Sequence, residues 1–212
     1  NNCLLTDSVI ITQPNSPISV TTSVTNVTCN GGNDGTTQVN VFGGVQPYNT
    51  IWQNSNPNQL SAGYNIFLIS DNNQCIYVDS VLIFEPLEIF ALETIRDVSC
   101  SGGIDGEVNL VISGGTQPYN IDWGIYNNLS LSAGSYIYQV YDVNLCTYSA
   151  VVNVTEPFPI SVIPTITNST CPNTNDGSVQ INISGGTPPY SEDWQLVNPA
   201  QISSGVYTYF IT

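Results

Sequence analysis

The sequence predicts an all-β chain, a series of tandem immunoglobulin-like sandwiches of about 71 residues forming an elongated rod. Three observations carry this expectation: a block recurs at a fixed step, apolar residues alternate at period two, and dense turn chemistry separates the runs without helical periodicity. Cys29, Cys100 and Cys171 keep the step, as do Trp52, Trp123 and Trp194, and Asp34, Asp105 and Asp176. The Gly-Gly pairs beginning at Gly43, Gly114 and Gly185 follow it too. One module stamped out in register directs the search for function to the array.

The copies divide the chain into the closing end of a preceding repeat (1–16), two full repeats (17–86 and 87–157) and a shorter third (158–212). Cys3 to Pro14, Cys75 to Pro86 and Cys146 to Pro157 share one spacing, which identifies the leading fragment and makes the chain read as a window of a longer array. In residues 87–157 the elements follow in order. A leading strand runs from Ile89 to Val98, matched by Ile18 to Val27 and Ile160 to Asn168. A second carries Val108, Leu110 and Ile112 on one face, with Thr37, Val39 and Val41 or Val179, Ile181 and Ile183 in the sister copies. After the Gly-Gly break, a third strand turns Tyr119, Ile121 and Trp123 to one side. Tyr136, Tyr138 and Val140 mark the next, ending at Asp142, and Tyr148, Ala150, Val152 and Val154 mark the last. Six or seven strands per repeat are expected. Trp52, Trp123 and Trp194 share parity with Tyr48, Tyr119 and Tyr190 four residues earlier, and both sets are assigned to the core rather than to a sugar-stacking platform.

Arg96 is the one basic residue against 16 acidic ones, and there is no His. Phosphate-backbone binding needs clustered Lys and Arg, so nucleic acid is excluded as a partner. The commonest general base and transition-metal ligand is missing, and no nucleophile–base pair occurs, so the chain reads as non-enzymatic. Glu85 and Glu156 recur without an acidic partner and are assigned to the surface. No stretch is apolar for long enough to insert in a membrane. The boundaries at Pro86 and Pro157 lead into the next strand without a Gly/Ser linker, so neighbouring repeats are expected to contact one another and add roughly 30 to 40 Å each.

Six cysteines recur without a C-x-x-C pair, which points to disulfides and an extracellular location. In a simple sandwich the first turn lies at the far end of a module and the last hairpin turn at the near end. A bond between repeats, Cys29 to Cys146, is therefore expected, leaving Cys3, Cys75, Cys100 and Cys171 for partners outside the window. Bonds within a repeat (Cys29 to Cys75, Cys100 to Cys146) and the sequence-adjacent Cys75 to Cys100 remain the alternatives. The loops after Cys29, Cys100 and Cys171 contain oxygen donors, and Asp34, Asp105 and Asp176 are the calcium candidates. A single recurring carboxylate per loop favours a turn role, with Asp-Gly as a positive-φ hairpin corner and no cofactor.

The succession Cys100-x-Gly102-Gly103-x-Asp105-Gly106, an alternating strand, Gly114-Gly115-x-x-Pro118-Tyr119-x-x-x-Trp123, Ala133-Gly134-x-Tyr136, Asp142-x-x-x-Cys146 and Glu156-Pro157 resembles the SprB repeat. Asn65 for the usual Tyr, Gln13 for Glu and Pro172 in the third turn depart from the pattern. The resemblance implies a giant cell-surface adhesin of gliding Bacteroidetes-type bacteria, exported by the type IX route as a filament. Its partners are then the gliding and secretion machinery and surface ligands outside the window. Asp7-Ser8-Val9 and Asp79-Ser80-Val81 are similar to an O-glycosylation motif of that bacterial group, with Ser8 and Ser80 on the outward side of the last strand. The expected function is a stalk used in gliding motility and attachment. The alternatives are a glycan- or calcium-binding module, or accessory domains of a secreted carbohydrate-active enzyme.

Overall fold

The computed structural model of the chain describes residues 3–13, 16–53 and 55–212. Regular structure among these is strand only, and no helix is long and apolar enough to cross a membrane. Repeat 1 holds β1 (Ser19–Thr25), β2 (Thr36–Phe42), β3 (Asn49–Trp52), β4 (Gly63–Ser70) and β5 (Ile76–Ile83). Repeat 2 holds β6 (Phe90–Arg96), β7 (Glu107–Ser113), β8 (Asn120–Asp122), β9 (Gly134–Tyr141) and β10 (Thr147–Val154). Repeat 3 holds β11 (Ser161–Thr167), β12 (Ser178–Ser184), β13 (Glu192–Asp193) and β14 (Phe210–Ile211).

Five strands per full repeat replace the six or seven expected from the sequence. Between Trp52 and Gly63 the chain turns instead of extending, because Asn56 accepts the Gln59 N–H at 2.8 Å and its side chain accepts the Asn58 N–H at 3.1 Å. Among the described residues, Leu60 forms an isolated bridge with Gly35, just ahead of β2, and the Thr37 N–H of β2 bonds the Pro57 carbonyl. Pro47, Pro118 and Pro189 each follow a cis peptide bond.

Each full repeat is a small sandwich of a two-stranded and a three-stranded antiparallel sheet, ordered β1-β2 and β3-β4-β5, then β6-β7 and β8-β9-β10. The register puts Ser19 opposite Phe42 and Thr25 opposite Thr36 in the first sheet. In the second, Trp52 lies opposite Phe67, and Gly63 opposite Ile83. This parity sends Phe67, Ile69, Val81 and Ile83 to one face, where they meet Val20, Val39 and Val41 of the other sheet. Arg96 and Glu107 form an ion pair at 3.1 Å where β6 and β7 begin to diverge.

Contacts resolve the chain into two compact units. One runs up to Phe90 and takes in 113–120 and 140–148. Its core is Val27, Leu60, Phe67, Ile69, Val81 and Ile83. The other comprises 91–112, 121–139 and 149–212, and buries Val98, Val108, Leu131, Tyr138, Val152 and Val154.

Residues 3–13 carry no strand and are exposed throughout, which corrects the last-strand placement of Ser8. Asn1, Asn2, Pro14 and Asn15 of the 1–16 fragment lie outside the described residues.

Candidate functional site

The residues that recur most strictly gather at two places, the cysteine loop between the first two strands and the turn between the last two. In repeat 1 the loop is closed by Asp34, whose carboxylate accepts the Thr28 N–H at 3.0 Å and the Thr28 hydroxyl at 2.5 Å. The Gly32 N–H bonds the Cys29 carbonyl at 3.0 Å. Glu85, at the repeat boundary, accepts the Gly31 N–H at 2.6 Å, and Asn30 donates to the Pro86 carbonyl. Repeat 2 reproduces the set: Ser99 N–H to Asp105, Gly103 N–H to the Cys100 carbonyl, and Gly102 N–H to Glu156 at 2.6 Å. In repeat 3 Asp176 takes the Thr170 N–H, the Thr170 hydroxyl and the Thr174 hydroxyl.

These bonds fix the charge state of the loop acids. The Thr28 hydroxyl and N–H hold the Asp34 carboxyl below the usual carboxylate range, and Ser99 does the same for Asp105. For Asp176 the Thr170 and Thr174 hydroxyls together lower it to about 2. The three calcium candidates are thus engaged by donors of their own loops, and no cluster of three or more His, Cys, Asp or Glu occurs among the described residues.

Asp-Gly is not the positive-φ corner. That conformation falls at Gly31 (φ 70), Gly102 (φ 76) and Asn173 (φ 67), because ten residues separate β1 from β2 and the chain reverses near the middle of the loop. The second glycine is required by close approach instead: a Cβ on Gly35 would stand 2.7 Å from the Leu60 carbonyl oxygen. Glu85 and Glu156 likewise have a defined role beyond the surface one assigned from sequence, since each binds a loop N–H across 54 residues of chain.

Sequence reasoning missed the acid that organises the other end. Asp71 is buried and accepts the Asn73 and Cys75 N–H groups at 2.9 Å and the Val45 N–H at 3.0 Å. Asp142 repeats this with Asn144, Cys146 and Thr116. Burial pushes the Asp71 carboxyl up, but its Cys75, Val45 and Asn73 partners outweigh that and hold it below the usual range. The recurring Asp-x-x-x-Cys spacing was the available signal. Beside it the Tyr48, Tyr119 and Tyr190 hydroxyls donate to the carbonyls of Gly43, Gly114 and Gly185.

The two places meet through one bond. Cys29 is joined to Cys146 with Cα atoms 5.5 Å apart at a sequence separation of 117. Asn144 adds a 3.4 Å bond to the Thr28 carbonyl. A cavity of about 330 Å³ beside the disulfide is lined by Cys29, Pro86, Leu87, Ile89, Gly115 and Cys146. Cys3, Cys75, Cys100 and Cys171 are exposed thiols.

The remaining candidates are placed as follows. Trp52 and Trp123 are half-buried and Trp194 is buried, each against an aromatic ring of the following strand region: Phe67 at 5.0 Å, Tyr138 at 5.0 Å and Tyr209 at 4.7 Å between centroids. Tyr48, Tyr119 and Tyr190 are half-buried. Ser80 is half-buried on β5 opposite Ile66, and its N–H bonds Asp79 at 2.8 Å, as the exposed Ser8 N–H bonds Asp7.

A family model described as SprB repeat matches residues 21–56, 92–124 and 163–195, stretches that begin 71 residues apart and run from the first strand of each copy to its Trp region. No curated protein and no solved structure matches the chain.

Proposed function

Because the chain belongs to the SprB-repeat family, a structural repeat of cell-surface adhesin-like proteins, we propose that it is a non-enzymatic, load-bearing stalk segment of a secreted adhesin, serving gliding motility and surface attachment. In this reading the repeats set reach, while adhesion resides in a tip or in weak repeated contacts. Export by the type IX route and engagement of the gliding machinery belong to the same proposal.

The observation that carries the reading is the Cys29–Cys146 bond, which ties the loop of one repeat to the last turn of the next. Force applied along the backbone can pass through this covalent shortcut, so the intervening residues need not extend. Glu85 and Asn30 seat the same loop against the boundary at Pro86, where no flexible linker intervenes. A strongly acidic surface, with 16 acidic residues to one basic, keeps parallel filaments apart.

Single-molecule pulling on the 212-residue chain tests the proposal. With the bond intact, full unfolding should release roughly 400 Å less contour length than after reduction, because the loop between the cysteines, a sequence separation of 117, stays closed. Equal lengths in both states would remove the mechanical basis of the stalk reading. A saturable response to calcium or to one glycan in an array would favour a binding module instead.

A further inference from the structure

We propose that the outer face of the β3-β4-β5 sheet of repeat 1 docks against the same face of a second copy of this chain, in a two-fold, sheet-on-sheet contact. The inference rests on side chains inside one compact unit and does not depend on the adhesin reading.

Strand parity defines the face. Phe67, Ile69, Val81 and Ile83 point into the core, so the alternate residues of the same strands point away from it. Ile51, Leu68 and Val78 stand opposite one another in register and form an apolar row across all three strands. Ile66 and Tyr64 continue the face along β4, and Ile76 and Leu82 lie at its two ends on β5. Ile51, Tyr64, Ile66, Ile76 and Val78 are 41 to 74% exposed. None of the outward positions of these strands is charged, although the chain carries 16 acidic residues.

Repeat 2 supplies an internal control. Asp122, Gln139 and Ser149 stand one repeat after Ile51, Leu68 and Val78, and Ser135, Thr147 and Asn153 replace Tyr64, Ile76 and Leu82. Asp193 makes the polar choice again in repeat 3. The same backbone therefore folds with a polar outer face, and the apolar one is no requirement of the fold. Its exposure does not follow from its place in the chain either. Ile137 and Val151, on the equivalent face of repeat 2 with a repeat before and after it, are exposed as well.

Area, shape and charge select a second copy as the occupant. The five exposed side chains offer on the order of 500 Å², near the upper end for the largest apolar patch of an ordinary monomer. Two such faces bury about 1,000 Å² together, the lower bound for a specific contact, which corresponds to association at roughly 10 to 500 μM. A sheet face fits its own image, and two pack about 10 Å apart. The acidic residues elsewhere keep other faces apart, whereas closing this one desolvates no charge. Aliphatic side chains dominate it and Tyr64 is its one ring, so it lacks a stacking platform for a sugar. A chain of net charge −15 is also repelled by an anionic lipid surface.

Sedimentation velocity from about 5 to about 1,000 μM chain tests the contact. A background carrying Cys3→Ser, Cys75→Ser, Cys100→Ser and Cys171→Ser excludes intermolecular disulfides. The expected result is a monomer–dimer equilibrium that stops at two, because the contact uses up the face. It should tighten several-fold between about 0.02 and about 0.5 M NaCl, as screening relieves the repulsion between two acidic copies. Giving repeat 1 the row of repeat 2, by Ile51→Asp, Leu68→Gln and Val78→Ser, should weaken the dimer by at least ~100-fold. The reverse exchange, Asp122→Ile, Gln139→Leu and Ser149→Val, adds a second apolar face and should extend association beyond the dimer. A monomer at every concentration in high salt, a dimer untouched by the row exchange, a reverse exchange that adds no larger species, or dissociation on adding salt would each overturn the proposal. So would a monomer that binds phosphatidylcholine vesicles or a glycan array through the row, since the face would then have another occupant.

Discussion

Each loop aspartate acts through the hydroxyl and N–H groups it holds, and its protonation is therefore a structural event. Asp176, lowered to about 2 by Thr170 and Thr174, is ionised in the fold at pH values where a free aspartate, near 3.9, is already protonating. Its contribution to stability is thus fully present above about pH 4 and lost as the pH falls towards 2. Hydrogen exchange at the Thr170 amide, followed from pH 6 to pH 2, should accelerate in that interval beyond the intrinsic rate, and Asp176→Asn should remove the transition. Asp142 carries a different load. Three N–H groups, those of Asn144, Cys146 and Thr116, converge on this buried carboxylate. Asp142→Ala leaves them without an acceptor and should cost about 2 to 3 kcal/mol in urea denaturation. A loss below 0.5 kcal/mol, on the order of an ordinary surface change, would show that water replaces the side chain freely.

At the scale of the element, the core position on β9 is the most exacting. Tyr138 is fully buried, stacks against Trp123 and donates to Glu93 at 2.7 Å. Tyr138→Ala should therefore lower stability by about 3 to 5 kcal/mol, while Ile137→Ala, one residue away on the exposed face, should stay within about 0.5 kcal/mol. This contrast was legible in the sequence, because period-two alternation assigns faces and the repetition in three copies removes accidents of composition. The first, second, fourth and fifth strands of each full repeat could be drawn from it within a few residues. What alternation could not reveal is closure between distant segments. Asp71 reaches Val45, and Glu85 reaches Gly31, through bonds that leave no periodic trace. A motif such as Asp-x-x-x-Cys records that the residues recur without stating which N–H groups the carboxylate accepts. The Asp-Gly pair was misassigned for a related reason. Its composition suits a two-residue hairpin, but the loop is ten residues long and places the left-handed residue three to four positions earlier, at Gly31.

At the scale of the molecule, the cysteine pairing decides how the repeats behave together. Far-end and near-end placement of the two cysteines came from the simple-sandwich picture, and the five strands of a full repeat, rather than the six or seven expected, keep the first and last turns at opposite ends. The seating of the loop did not, since it depends on Asn144, Asn30 and Glu85 acting at one boundary. The covalent ring closed by Cys29 and Cys146 also encloses Arg96, the sole peptide bond that trypsin recognises in the chain. A nick there cuts the polypeptide without parting it: electrophoresis should show one species before reductant and two fragments after it. A chain so built can be severed once inside the ring and keep hold of both pieces.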